Sequence, residues 1–109
     1  MATTYKVLGQ SNPSATTATT LYTVPSATQA VISTITVCNQ AATSASYRIA
    51  VRPAGATLAA QHYVAYDIAI AANDTTALTL GIALSTTDVV TVYAATATLS
   101  FSAFGSEIA

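Results

Sequence analysis

Apolar and polar positions alternate along most of this chain with a period of two, the signature of strands that bury one face. The cleanest case is Ser46 to Arg52, where Tyr47, Ile49 and Val51 point one way and Arg48, Ala50 and Arg52 the other. Ala97 to Phe104 alternates in the same manner, with Leu99 and Phe101 facing in and Gly105 closing the strand. Ala30–Cys38 is rich in the β-branched residues that suit a pleated surface, and His62–Ile70, Thr76–Leu80 and Val89–Ala94 are further strand-like stretches. In Ala30–Cys38, Val31, Ile35 and Val37 share one face by simple alternation, and Ile32 and Cys38 share the other. Leu78 and Leu80 are expected on one face, with Ile82 and Leu84 continuing past a bend or bulge at Gly81. Short runs at Tyr5–Leu8 and Leu21–Val24 complete the set.

Turn signals separate these runs: Pro25-Ser26, Asn39–Ser44, Pro53-Ala54-Gly55, Asn73-Asp74 and Ser85–Asp88. Seven to nine short strands at this spacing predict an all-β fold, an antiparallel sandwich (jelly-roll or Ig-like), while periodicity by itself fits a barrel equally. Helix is disfavoured by the many Thr, Val and Ile, and only Gly55–Gln61 (GATLAAQ) could form a single helical turn. Gly9–Thr20 (GQSNPSATTATT) is low in complexity and has no large apolar side chain. It is therefore expected to be an arm or an exposed crossing loop, so that residues 1–20 form a strand plus arm and residues 21–109 the sandwich, one domain in all. Twelve extended residues span up to about 40 Å, enough to reach a neighbouring subunit.

Composition changes this picture at the surface. Of 109 residues, 24 are Ala, 20 Thr and 10 Ser, and only 6% are charged, against about 25% in an ordinary soluble domain. Disorder does not explain the deficit, because disordered chains pair low hydropathy with high net charge. Here 52% of residues are hydrophobic and the net charge is −1. Polar residues interrupt every apolar stretch before the roughly 20 residues a membrane helix needs, so no membrane partner is expected. Three basic side chains give no footprint for nucleic acid. The first residues lack the apolar run of a signal peptide, and Cys38 stands alone, which points to a soluble domain made in the cytoplasm.

Chemistry is sparse. His62 is the one imidazole and Cys38 the one thiol, and both are expected to be structural. A nucleophilic triad needs a base oriented by a third group, and no such set is legible, so no catalytic residue is assigned. No metal cluster or cofactor motif is present either; a Ca²⁺ site assembled from separate loops is the arrangement left open. Asp74 and Asp88 stand at turn-to-strand junctions, where Asp accepts hydrogen bonds from backbone amides. Asp67 lies inside a strand-like stretch and could pair with Arg48, with Arg52 or with a partner. Arg48 and Arg52 share a face about 13 Å apart. With Tyr63, Tyr66 and Asp67 they are the candidate subunit contacts, since Arg and Tyr are favoured at interfaces. Tyr63, Tyr66 and Asp67 could alternatively form a sugar platform.

A charge-poor edge is a template for pairing with another chain, and Lys6 is the single lysine available to block one. Extensive contact with copies of itself follows as an expectation. The stretches Leu21–Asn39 (LYTVPSATQAVISTITVCN), Ala72–Leu80 (ANDTTALTL), Leu84–Ala94 (LSTTDVVTVYA) and Phe101–Ile108 (FSAFGSEI) resemble small β-sandwich modules of tailed-bacteriophage virions. Pro25-Ser26-Ala27 stands where such modules usually follow the Pro with Gly. The resemblance implies a non-enzymatic virion structural protein, assembled in the host cytoplasm and contacting itself and other virion proteins. It implies a homo-oligomeric block of tail, fibre or baseplate, with head decoration (capsid cement) as the alternative; a host-surface carbohydrate-binding module is a third reading from a different class.

Overall fold

The computed structural model describes residues 2–109. Nine strands follow one another: β1 (Thr3–Ser11), β2 (Thr19–Thr23), β3 (Gln29–Asn39), β4 (Ala45–Arg52), β5 (Tyr63–Ile70), β6 (Thr75–Leu78), β7 (Ile82–Leu84), β8 (Val89–Ala94) and β9 (Leu99–Ile108). One sheet has the order β1-β9-β3-β6, with β7 also on β3, and the other β2-β8-β4-β5. All pairings are antiparallel. The pairs are nested: β4 with β5, β3 with β6 and β7, β2 with β8, β1 with β9. The chain is thus one long hairpin rolled up, with β6 and β7 as a single interrupted strand. Of the two sandwich types, this order is the jelly-roll.

Both sheets contribute to one core. Tyr47 and Phe101 meet edge to face at its centre, 6.1 Å between ring centroids, and are flanked by Ile35, Ile49, Val92 and Leu99, all fully buried. Truncating such an aromatic costs about 3–5 kcal/mol, a large part of a domain's stability. At one end of the sandwich the buried Asn39 ties three connections together. Its amide donates to the carbonyls of Thr43 and Ala71, and its oxygen accepts from Ala41 N and Thr98 Oγ1. Every polar group of that side chain is paired, which is the condition for burying it.

Two expectations from simple alternation change, and one about a helical turn. In β3 the register on β9 slips between Ile32 and Thr34. This bulge moves Ile32 onto the core face with Ile35 and Val37 and leaves Val31 outside. Cys38 is half-buried on the outer face. The strand from Thr75 ends at Leu78, so Leu80 is exposed rather than aligned with it. Around Gly55–Gln61 there are two separate 3-10 turns, Pro53–Gly55 and Ala60–His62, with extended chain between.

Of the two readings of Gly9–Thr20, the structure shows the crossing and not a free arm. Gly9–Ser11 belong to β1 and Thr19–Thr20 to β2. The residues between them are fixed to their own fold: Asn12 Nδ2 donates to the carbonyls of Leu99 and Ala97, and Thr16 N to that of Ala94. Low complexity here reflects a tight crossing between sheets, since a Cβ on Gly9 would overlap the Leu21 carbonyl of the opposite sheet. Gly105 likewise does not close β9, which continues to Ile108. It lets the bulged β3 approach, because a Cβ there would overlap the Val31 carbonyl oxygen.

Two substitutions test this account by denaturant unfolding. Gly105→Ala should destabilise by at least about 1–3 kcal/mol, the usual cost of overpacking. Ala27 sits at φ 53° in the β2–β3 turn, a conformation that suits Gly. Ala27→Gly should therefore be neutral or stabilising by up to about 1 kcal/mol, relief of left-handed strain outweighing chain entropy. A loss of stability in Ala27→Gly would contradict the turn geometry.

Candidate functional site

The outer face of the β2-β8-β4-β5 sheet carries the one concentrated group of charged and aromatic side chains among the described residues. Strand β4 turns Arg48 outward, and the register sets Tyr93 of β8 directly beside it. On the other flank β5 bulges. Tyr47 pairs with Ile68 and Ile49 with Ala65, so Tyr66 and Asp67 together face the single Arg48. Asp67 takes φ 51° there, a conformation Asp tolerates better than most residues. The bulge aims both side chains at the same guanidinium, which is how bulges re-aim side chains elsewhere.

The Arg48 guanidinium carbon lies 4.2 Å from the Tyr66 ring centroid and 4.3 Å from that of Tyr93. Its Nε donates to Asp67 Oδ1 at 2.6 Å and its Nη2 to Oδ2 at 3.3 Å. The planar fork thus meets the carboxylate while its faces meet the rings, an arrangement lysine could not make. Hydrogen bonding to Asp67 raises the Arg48 pKa further above its ordinary value. Tyr63 stands edge-on to Tyr66 at 4.9 Å. Beside them is an open depression of about 670 Å³ lined by Leu58, Ala59, Ala60, Tyr63 and Tyr66. His62 borders this region structurally, its Nδ1 accepting from Ala59 N to close the 3-10 turn.

The structure therefore brings together four of the five residues singled out in the sequence, Arg48, Tyr63, Tyr66 and Asp67, and pairs Asp67 with Arg48. Arg52 is engaged elsewhere. Its Nε donates to Thr91 Oγ1 and its Nη1 to the Ala56 carbonyl, fastening the loop after β4. Tyr93 is not among the five, although the alternation with Val90 and Val92 inside already turns it outward. Its meeting with Arg48 depends on the β4–β8 register, which no local pattern encodes.

A second polar group lies between the sheets. Glu107 of β9 accepts from Tyr22 of β2 at 2.5 Å and from Lys6 of β1 at 2.9 Å. The Tyr22 hydroxyl, followed by Lys6, holds the Glu107 carboxyl below its ordinary range, while burial and then Glu107 push the Tyr22 phenol up. Asp74 accepts from Thr75 N, and Asp88 from Ala54 N and Ser85 N. Their turn roles stand, with amide partners set by the fold. Each of the seven charged side chains thus has a partner in its own chain. Among the described residues no three His, Cys, Asp or Glu side chains gather as a metal site would require. No protein family, curated protein or solved structure matches the chain.

The depressed Glu107 pKa gives a signed pH dependence. Its stabilisation is present above the unfolded value of about 4.3 and is lost as pH falls through the lower folded value. Thermal melting between pH 7 and pH 2 should show the wild type losing stability below about pH 4. Glu107→Gln should start lower at pH 7 and fall less steeply. Parallel curves for the two proteins would contradict the Tyr22–Glu107–Lys6 tie.

Proposed function

We propose that this chain is a non-enzymatic structural building block of a tailed-bacteriophage virion, a homo-oligomeric unit of tail, fibre or baseplate. The observation that carries the reading is the internal engagement of all seven charged side chains. Lys6 and Asp67 stay about half exposed within their pairs, and the rest of the outward surface is largely Ala, Thr, Ser and exposed apolar residues, including Tyr5, Val7, Val64 and Ile68. A surface of that kind has little to oppose permanent association, and obligate interfaces are poor in charge in the same way. The resemblance to virion β-sandwich modules supplies the setting. The jelly-roll supports it only by analogy of fold, since viral capsid domains share that architecture with unrelated proteins.

Arg48, Tyr66, Tyr63 and Asp67 form a contact patch for a neighbouring virion subunit in this reading. Arg and Tyr anchors beside an apolar depression match the make-up of interface hot spots. The carbohydrate reading is weaker at the same place. Asp67, the carboxylate nearest the tyrosines, is already held by Arg48, and the depression is lined by Leu, Ala and Tyr alone.

The test is an antibody against the chain imaged on purified virions, with mass spectrometry counting copies. Multicopy labelling of tail, fibre or baseplate is expected. Labelling confined to the head would assign the chain to capsid decoration instead. Virions that lack the chain would overturn the proposal.

A further inference from the structure

The outer face of the β1-β9-β3-β6 sheet differs from every other part of the surface. Register fixes which side chains it presents. Tyr5 and Val7 of β1 stand opposite Ser106 and Phe104 of β9. Those two stand opposite Val31 and Thr34 of β3, and Val31 opposite Ala83 of β7. Towards the other end the same face carries hydroxyl and other uncharged side chains: Ser102 opposite Gln10 and Thr36, Ser100 opposite Cys38. None of the seven charged residues lies on this face. Lys6 and Glu107 alternate to its inner side, and the other five lie on the second sheet or in turns. Within the uncharged face, Tyr5 is 84% exposed, Val7 47% and Val31 38%.

We infer that this face is a self-association surface, and that its occupant is the same face of a second copy. The inference deepens the proposed function in one respect, since it rests on the chain being homo-oligomeric. Area, charge and register support that occupant. Four strands about 4.8 Å apart, the longest running up to about 34 Å, outline roughly 600 Å² before surface relief is counted. That approaches the about 800 Å² per partner of a stable complex, with its apolar part gathered at Tyr5, Val7 and Val31. A twofold interface sets a patch against itself, so any charge near the axis would meet its like. This face has none to repel. A partner recognised by charge would find nothing here to read.

The register also places the axis. Ser106 lies directly between Tyr5 and Val31, and Phe104 between Val7 and Thr34. A twofold axis in the interface plane along β9 therefore sets Tyr5 of one copy over Val31 of the other, and the reverse. Val31 is bordered by the small Ala83 and by a shallow depression of about 220 Å³ that also touches Ile108. The protruding tyrosine thus meets a recess. Two sheets stacked in this way keep their strands within about 30° of each other. The Arg48 patch lies on the opposite sheet and stays available for a further contact.

Light scattering on the purified full chain at micromolar concentration tests this. The wild type should be dimeric or a multiple of the dimer. Tyr5→Glu should weaken the dimer at least tenfold while its circular dichroism and melting as a monomer show the fold intact, because Tyr5 is exposed. Arg48→Ala should leave the dimer in place. Independently, Ser106→Cys in a Cys38→Ser background should be joined to a covalent dimer by a short bismaleimide, whereas Thr87→Cys in the same background should not. A monomeric wild type, or a multimer indifferent to Tyr5→Glu and not joined through Ser106→Cys, would overturn the inference. A dimer of this kind found in no virion sustains it and sinks the virion reading. A virion subunit that is monomeric until attached does the reverse.

Discussion

The pairing of β1 with β9 is the constraint on which the rest of the molecule depends. A rolled hairpin becomes a closed sandwich only when its first and last strands meet, and here they run together from Thr3 with Ile108 to Ser11 with Phe101. Gly9 lets β1 pass close to β2, and Gly105 lets the bulged β3 lie against β9. Glu107 then links the two sheets by accepting from both Lys6 and Tyr22. Two of the few charges in the chain are consumed in this closure. Because the contact joins residues about a hundred positions apart, it is also the pairing that costs the most loop-closure entropy.

The sandwich itself was legible because burial on one face forces a period of two, and Tyr47, Ile49, Leu99 and Phe101 obey it. The alternation failed where a bulge inserts one residue. Ser33 carries no local mark that would shift Ile32 inward and Val31 outward, since the slip is set by how β3 meets β9. Residues 9–20 left two readings open for a related reason. Small polar residues fit both an extended arm and a tight crossing between sheets, and only the packing of Gly9 on Leu21 separates the two. At the Arg48 group the residue types pointed to the place, and Asp67 stood out as a carboxylate within a strand. Tyr93 and the choice of Arg48 over Arg52 required the register of three strands. The Lys6–Glu107–Tyr22 tie was hidden because its members come from both ends of the chain.

Internal use of charge connects the fold to its proposed role. Arg48 and Asp67 neutralise one another, Arg52 fastens a loop, and Asp74 and Asp88 serve backbone amides. Each arrangement ties the chain to itself, and the two ion pairs, Arg48–Asp67 and Lys6–Glu107, also reduce what the surface can use to hold other copies away. The result is a sandwich with one face lacking charge altogether and an opposite face with a single compact Arg–Tyr group. Two such unlike faces on opposite sheets suit a unit that pairs through one and extends an assembly through the other.

Sedimentation velocity of the wild-type chain across a salt series measures this most directly. Contacts between uncharged faces that bury an apolar patch gain from burial and are little screened by salt. The account predicts a multimer at micromolar concentration whose sedimentation is unchanged or strengthened from low to high salt. A chain that sediments as a monomer throughout, or a multimer that dissolves as salt rises, would contradict it.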